Sequence, residues 1–265
     1  MFDIKEKKRI VVKLGTSTLT HGTGRLNIRR VEKLVKIIAD LENSGLQIIL
    51  VSSGAIGLGM SKIGLGSRPT DTPSKQACAA VGQCELMYMY DKLFGEYGYN
   101  IGQILLTKYV LDTPRKNNVL NTVNRLLEYN VIPIVNENDT VAIDELELEF
   151  GENDTLAAYV AVMSEADMLI IMSDIDGLYD DNPNENPNAR LIPIIEDISD
   201  EIVSGAKGAG SNLGSGGMAT KIKAAKIVTE AGIDMAIING KDPKNLYDIF
   251  DGKSKGSIFS AKAVK

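Results

Sequence analysis

The chain has 265 residues, with 29 Lys and Arg against 35 Asp and Glu and a formal net charge of −6, a balance that argues against nucleic acid or an anionic membrane as its main partner. Hydrophobic residues at 44% and charged residues at 24% describe a folded globule rather than a disordered chain. One histidine and two cysteines, with no C-x-x-C pair, leave no basis for a zinc site and exclude the histidine-dependent nucleophile schemes unless His21 serves.

The first residues, MFDIKEKKRI, contain no apolar signal core, so a cytoplasmic protein is expected. A buried strand is predicted over 9–14, where apolar residues run on to Lys13 and Leu14. His21 falls in a Thr/Gly-rich turn and reads as a loop residue. Ile28, Val31, Leu34, Val35, Ile38 and Leu41 then recur at helical spacing behind Asn27, a good N-cap. The longest charge-free stretch, 43–61, is broken by four glycines and does not read as a membrane span. It contains a second strand over 47–51.

Cys78 and Cys84 lie six apart in one helix-like stretch. Six residues of helix rise about 9 Å, beyond the roughly 7 Å that a disulfide tolerates between Cα atoms, so both are expected as free thiols. Further strands are predicted over 101–106, 131–135, 168–172 and 235–238, separated by helical patterns over 119–127, 156–163 and 222–231. Alternation of strand and helix predicts an α/β fold, a mostly parallel open sheet covered on both faces, in one domain over 1–265 with two lobes hinged near 170. A Pro/Asn segment at 180–190 and a Gly-rich segment at 205–217 are the expected mobile loops. The tail from Gly252, with four lysines and no acid, reads as a solvated end.

Open parallel sheets bind ligands beyond the carboxyl ends of their strands. Here those ends run into small or polar residues: Lys13-Leu14-Gly15-Thr16-Ser17, Ser52-Ser53-Gly54, Asn136-Glu137-Asn138-Asp139 and Ser173-Asp174. Each alone could be an ordinary turn. Four on one edge point to a polar crevice. Gly15, Gly54 and Gly214 to Gly217 suit phosphate, because a backbone without Cβ atoms can approach an anion. No Walker A sequence exists, and no strand precedes Gly214 to make it a dinucleotide fingerprint.

Lys13 closes a buried strand, where an ammonium needs an anion, and Lys221 falls in a first helical turn, where the dipole disfavours a cation. Either they pair with a carboxylate and reach solvent respectively, or both converge on a transferring phosphate, held by an acid such as Asp154. The cluster Gly151-Glu152-Asn153-Asp154 is either a helix cap or, with the segment from Asn136 to Asp139, a holder for a cationic amine.

Taken together in chain order, these motifs, with Gly177-Leu178-Tyr179, the run from Gly216 to Lys221 and the segment from Gly256 to Phe259, resemble the amino acid kinase family over nearly the whole chain. The resemblance is greatest to the branch that phosphorylates the side-chain carboxylate of free L-glutamate with MgATP, the first step of proline biosynthesis. It implies an eight-stranded αβα sandwich with the substrate side in the lobe over about 1–170 and the nucleotide side over about 171–265. It assigns Lys13 and Lys221 to the transferring phosphoryl group, oriented by Asp154. Glutamate would be held by Ser53, Gly54, Asn136, Asp139 and Asn153. ATP would meet Lys13, Gly15, Thr16, Ser173, Asp174 and the run Ser215, Gly216, Gly217, Met218, Ala219, Thr220 and Lys221. Magnesium is implied with ATP, its protein ligands unassigned.

The resemblance also implies a homo-oligomer with feedback by proline, and no nucleic-acid or membrane partner. Glu152 and Ser173 depart mildly from the family's usual Asp and Thr. Many members carry a C-terminal RNA-binding-type domain, which is not expected here. Related enzymes acting on acetylglutamate, carbamate, nucleoside monophosphates or isoprenoid phosphates are the nearest alternatives, and a non-catalytic nucleotide or oxyanion storage protein the more distant one. Asp139 favours an acceptor with a free ammonium over an acetylated one.

Overall fold

All six predicted strand segments form strands in the computed structural model, which describes residues 7–107, 115–141, 153–183, 185–199, 202, 217–253 and 255–262. In chain order the strands are β1 (Arg9–Leu14), β2 (Gln47–Ser52), β3 (Asn100–Leu106), β4 (Val131–Glu137), β5 (Met168–Ser173), β6 (Ile194–Ile195), β7 (Asp234–Asn239) and β8 (Ser257–Phe259). The helices are α1 (Thr16–Leu19), α2 (Ile28–Asn43), α3 (Ala55–Ile63), α4 (Thr72–Gly95), α5 (Arg115–Glu128), α6 (Asn153–Met163), α7 (Met218–Glu230) and α8 (Asn245–Phe250). The strands make one eight-stranded sheet in the order β3-β4-β2-β1-β5-β7-β8-β6. Every pairing is parallel except β7 with β8. The two strands without a sequence signal, β6 and β8, are two and three residues long, too short to display a period.

Strand alternation decides what each face of the sheet receives. On β1, Ile10, Val12 and Leu14 join a core with α2, α3 and α4, including Leu34, Ile38, Leu58, Leu86 and Tyr90. Val11 turns the other way, into a core with Leu156 and Val160 of α6 and Ile222 of α7. Lys13 shares the parity of Val11 and therefore lies on the α6 and α7 side, where its ammonium needs an acid.

The Asn27 side chain accepts from the Arg30 N–H, which starts α2 as the cap signal predicts. Cys78 is buried and Cys84 exposed, both free. The 180–190 segment is tied by backbone bonds from Asp180 N–H to the Arg190 carbonyl and from Asn186 N–H to the Asn182 carbonyl. Most of the 205–217 segment lies outside the described residues. Helices α3 and α4 approach so closely that a Cβ on Gly82 would overlap the Ala55 carbonyl oxygen, and one on Gly59 the carbonyl oxygen of Cys78.

At the end of α2, Glu42 Oε1 accepts from the Ile48 N–H at 2.6 Å. Burial raises its pKa from 4.5 to about 7, against the lowering effect of that hydrogen bond. A raised carboxyl pKa costs nothing below the unfolded value, and the cost grows as pH rises from 4.5 towards about 7. E42Q keeps an acceptor and removes the titration. In urea unfolding its stability advantage over the parent chain should widen by about 2 kcal/mol between roughly pH 5 and 8; a gap independent of pH would show that Glu42 does not titrate with folding.

Candidate active site

The sheet's topology selects the place. From β1, the neighbouring strands lead to β2 and β4 on one side and to β5 and β7 on the other, so the carboxyl end of β1 sits at a switch point, where such sheets open a crevice. Gly15 lies there, its N–H bonded across to the Met172 carbonyl of β5 at 3.3 Å. Thr16 follows as the first residue of α1.

Asp154, in the first turn of α6, is completely buried between two lysines. Its Oδ1 lies 2.6 Å from Lys13 Nζ and its Oδ2 3.1 Å from Lys221 Nζ. Thr220 Oγ1 has a single proton to give to either Asp154 Oδ2 at 3.2 Å or the nearer Gly217 carbonyl at 2.8 Å. Burial alone raises the Asp154 pKa, but the two ammoniums outweigh it and hold the carboxyl at about 2. The α6 N-terminus favours the carboxylate. Lys221 sits in the first turn of α7, where the dipole opposes it, and Asp154 supplies the compensation. Among the described residues, two ammoniums meet this one carboxylate in a region where Lys13 and Lys221 are only 8% and 3% exposed. An anion is the species that such a site stabilises.

The preceding residue, Asn153, reaches the other way. Its Nδ2 shares two protons among three acceptors, the Ser52 carbonyl at 2.8 Å, Ser53 Oγ at 2.9 Å and Asn136 Oδ1 at 3.0 Å. Gly54, next to Ser53, takes φ of 98°, a left-handed conformation that lets β2 turn directly into α3. Asp139 lies half-buried in the turn after β4, beside Asn138, whose N–H bonds to the Leu106 carbonyl at 2.8 Å.

The expected residues thus form two groups joined by the peptide bond between Asn153 and Asp154. One is Lys13, Asp154, Thr220 and Lys221. The other is Ser53, Asn136 and Asn153, with Gly54 shaping the turn. Gly15 and Thr16 follow β1, and Asp174 follows the β5 end, where it accepts from Ser173 Oγ at 3.1 Å. Gly217 precedes α7, and Met218 and Ala219 open its first turn together with Thr220 and Lys221. Ser215, Gly216 and Glu152 lie outside the described residues. His21 is exposed in a loop, outside both groups.

Sequence reasoning missed two contributors from α4. Gln83 Oε1 accepts from Asn136 Nδ2 at 2.9 Å, and Tyr90 OH lies 3.0 Å from Ser52 Oγ. The available signal was a polar residue, Gln83, on the apolar stripe of Ala79, Leu86 and Tyr90.

An open parallel sheet with a lysine–aspartate–lysine group at its switch point defines a class, and the chain belongs to the amino acid kinase family, which matches residues 8–239. Within that family it is 52% identical over 262 residues to the glutamate 5-kinase of Clostridium perfringens, covering 98% of this chain and 97% of the relative. It is 54% identical over 259 residues to the glutamate 5-kinase of Clostridium tetani, covering 97% and 96%. Among solved structures, carbamate kinase from Giardia lamblia bound to AMP-PNP superposes with a TM-score of 0.66 at 16% identity, covering 96% of this chain and 99% of that one. Isopentenyl phosphate kinase from T. acidophilum gives 0.64 at 17%, covering 95% and 100%. These structural likenesses establish the shared fold. Among the described residues no helix is long and apolar enough to cross a membrane.

Proposed function

We propose that the chain transfers the γ-phosphoryl group of ATP to the side-chain carboxylate of L-glutamate, giving L-glutamyl 5-phosphate and ADP, the first step of proline biosynthesis. The observation that carries this reading is Asp154 spanning Lys13 and Lys221 while its neighbour Asn153 binds the polar ends of β2 and β4. The similarity to curated glutamate 5-kinases supports the choice of acceptor.

The chemistry fits these residues. A carboxylate with an ordinary pKa of about 4.3 is already ionised at neutral pH and needs no general base. Its oxygen attacks the γ-phosphorus. As that O–P bond forms, the bond to the β–γ bridging oxygen breaks and its electron pair leaves with ADP. Charge on the γ-oxygens and on the leaving bridge oxygen is met by Lys13 and Lys221. The first turn of α7 offers backbone N–H groups to the phosphates, while the Gly15 N–H is already engaged by the Met172 carbonyl. Ser53, Asn136 and Asn153 hold the amino acid, and Asp139 takes its ammonium.

Mg²⁺ bound with ATP would take most of its oxygens from phosphate and water; among the described residues no three His, Cys, Asp or Glu side chains converge into a dedicated cage. When bound, it shields phosphate charge. A homo-oligomeric assembly and inhibition by proline belong to the same proposal.

With ATP and hydroxylamine, which traps an acyl phosphate as a hydroxamate, L-glutamate should give a strong signal and N-acetylglutamate far less. Equal or greater turnover of the acetylated compound would overturn the choice of acceptor, because Asp139 would then have no ammonium to meet.

A further inference from the structure

Gln83 is 8% exposed in the middle of α4, and its two amide atoms are treated very differently. Oε1 accepts from Asn136 Nδ2, whereas Nε2 is buried with no hydrogen-bond partner among the described residues. Unmatched buried donors cost stability, so an amide free to rotate would exchange the two atoms if doing so helped. Here it cannot. The Ser52 carbonyl can only accept, which turns Asn153 Nδ2 towards it and towards Asn136. Asn136 must then present Oδ1 to Asn153, which leaves its Nδ2 facing Gln83. A reversed Gln83 would set donor against donor. The polarity of the whole relay is therefore fixed from one backbone carbonyl to Gln83.

We infer that Gln83 is a positioning residue for the acceptor site. By holding Asn136 in one orientation it holds Asn153. This inference rests on the reading of Asn136 and Asn153 as acceptor-binding residues.

Two further contacts of α4 bear on the same place. Tyr90, seven residues and two turns beyond Gln83 on the same face, reaches Ser52 Oγ at 3.0 Å, and both residues are fully buried. Gly82 sits against the Ala55 carbonyl at the start of α3, directly after Ser53 and Gly54, with no room for a side chain. One helix thus sets the polar ends of β2 and β4 and the turn between β2 and α3.

The test is steady-state kinetics on the full chain, using whichever acceptor the hydroxamate assay identifies. Q83M keeps the length and packing of the side chain and removes the acceptor for Asn136. It should raise the acceptor KM by about tenfold and leave the ATP KM within about twofold. KM belongs to the folded fraction, so partial loss of fold lowers the apparent Vmax without imitating this split. Q83L serves as the second variant should Q83M fail to accumulate. In an N136A background, where no amide remains to orient, Q83M should add no more than about a further twofold. Unchanged KM values, equal rises in both, or effects that multiply in the N136A background would overturn the inference. A parent enzyme that prefers another acceptor over glutamate overturns the proposed activity alone, since the KM split can still be measured on that acceptor.

Discussion

Replacing Lys221 with alanine is expected to lower kcat by about a hundred- to a thousandfold while the glutamate KM changes by less than about threefold. The asymmetry follows from where charge grows. The γ-phosphoryl oxygens and the leaving bridge oxygen gain their demand for positive charge during transfer, and an ammonium fixed beforehand is worth most at that moment. Lys221 is fixed: it is 3% exposed and held 3.1 Å from Asp154 Oδ2. Its removal does not strand the acid, which keeps Lys13 at 2.6 Å and Thr220 at 3.2 Å. Arginine should restore little, since a planar fork does not occupy the space of a compact ammonium. A K221A enzyme with near-normal kcat would place the phosphoryl-stabilising charge elsewhere.

Asp154→Ala carries the largest expected effect on stability. It leaves two buried ammoniums with no carboxylate between them, and breaking a buried pair in this way typically costs about 3–5 kcal/mol. Adding K221A should recover part of that loss, because one stranded ammonium disappears, so the two substitutions should be far from additive in urea unfolding. The acid limb of the stability curve follows from the same group. Its folded pKa lies at about 2 against an ordinary 3.8, so its contribution is complete above the ordinary value and drains away as pH falls through the folded one. A D154A protein as stable as its parent would mean that the lysines find other anions, and the acid would lose its place at the centre of the site.

Much of this was legible in the amino-acid order. Long apolar runs such as 9–14 and 168–172 have one good solution, a strand buried on both faces, and Asn27 marked the start of α2. Lys13 was conspicuous because an ammonium after a run of Ile and Val requires a partner. Which acid would meet it was not legible from local pattern: Asp154 lies 141 positions away and is delivered by the parity of β1 and the seating of α6. Gln83 was hidden for a related reason. Its role exists only once Gly82 has let α4 settle against α3, and no local period encodes a contact with a strand end 53 residues further on. The short strands β6 and β8, last in the sheet order beyond β7, carry too few residues to announce themselves and take their identity from the sheet they join.

Asn153 and Asp154 are consecutive, yet one faces the polar ends of β2 and β4 and the other the two lysines. Both ride on the same helical turn, and a rigid turn has no way to shift one side chain's root without the other's. Under the proposed function, the grip on the acceptor and the aim of the ammoniums therefore share a single mechanical degree of freedom. Any ligand that displaces this turn acts on both halves of the crevice at once, and by thermodynamic linkage the influence runs equally in each direction.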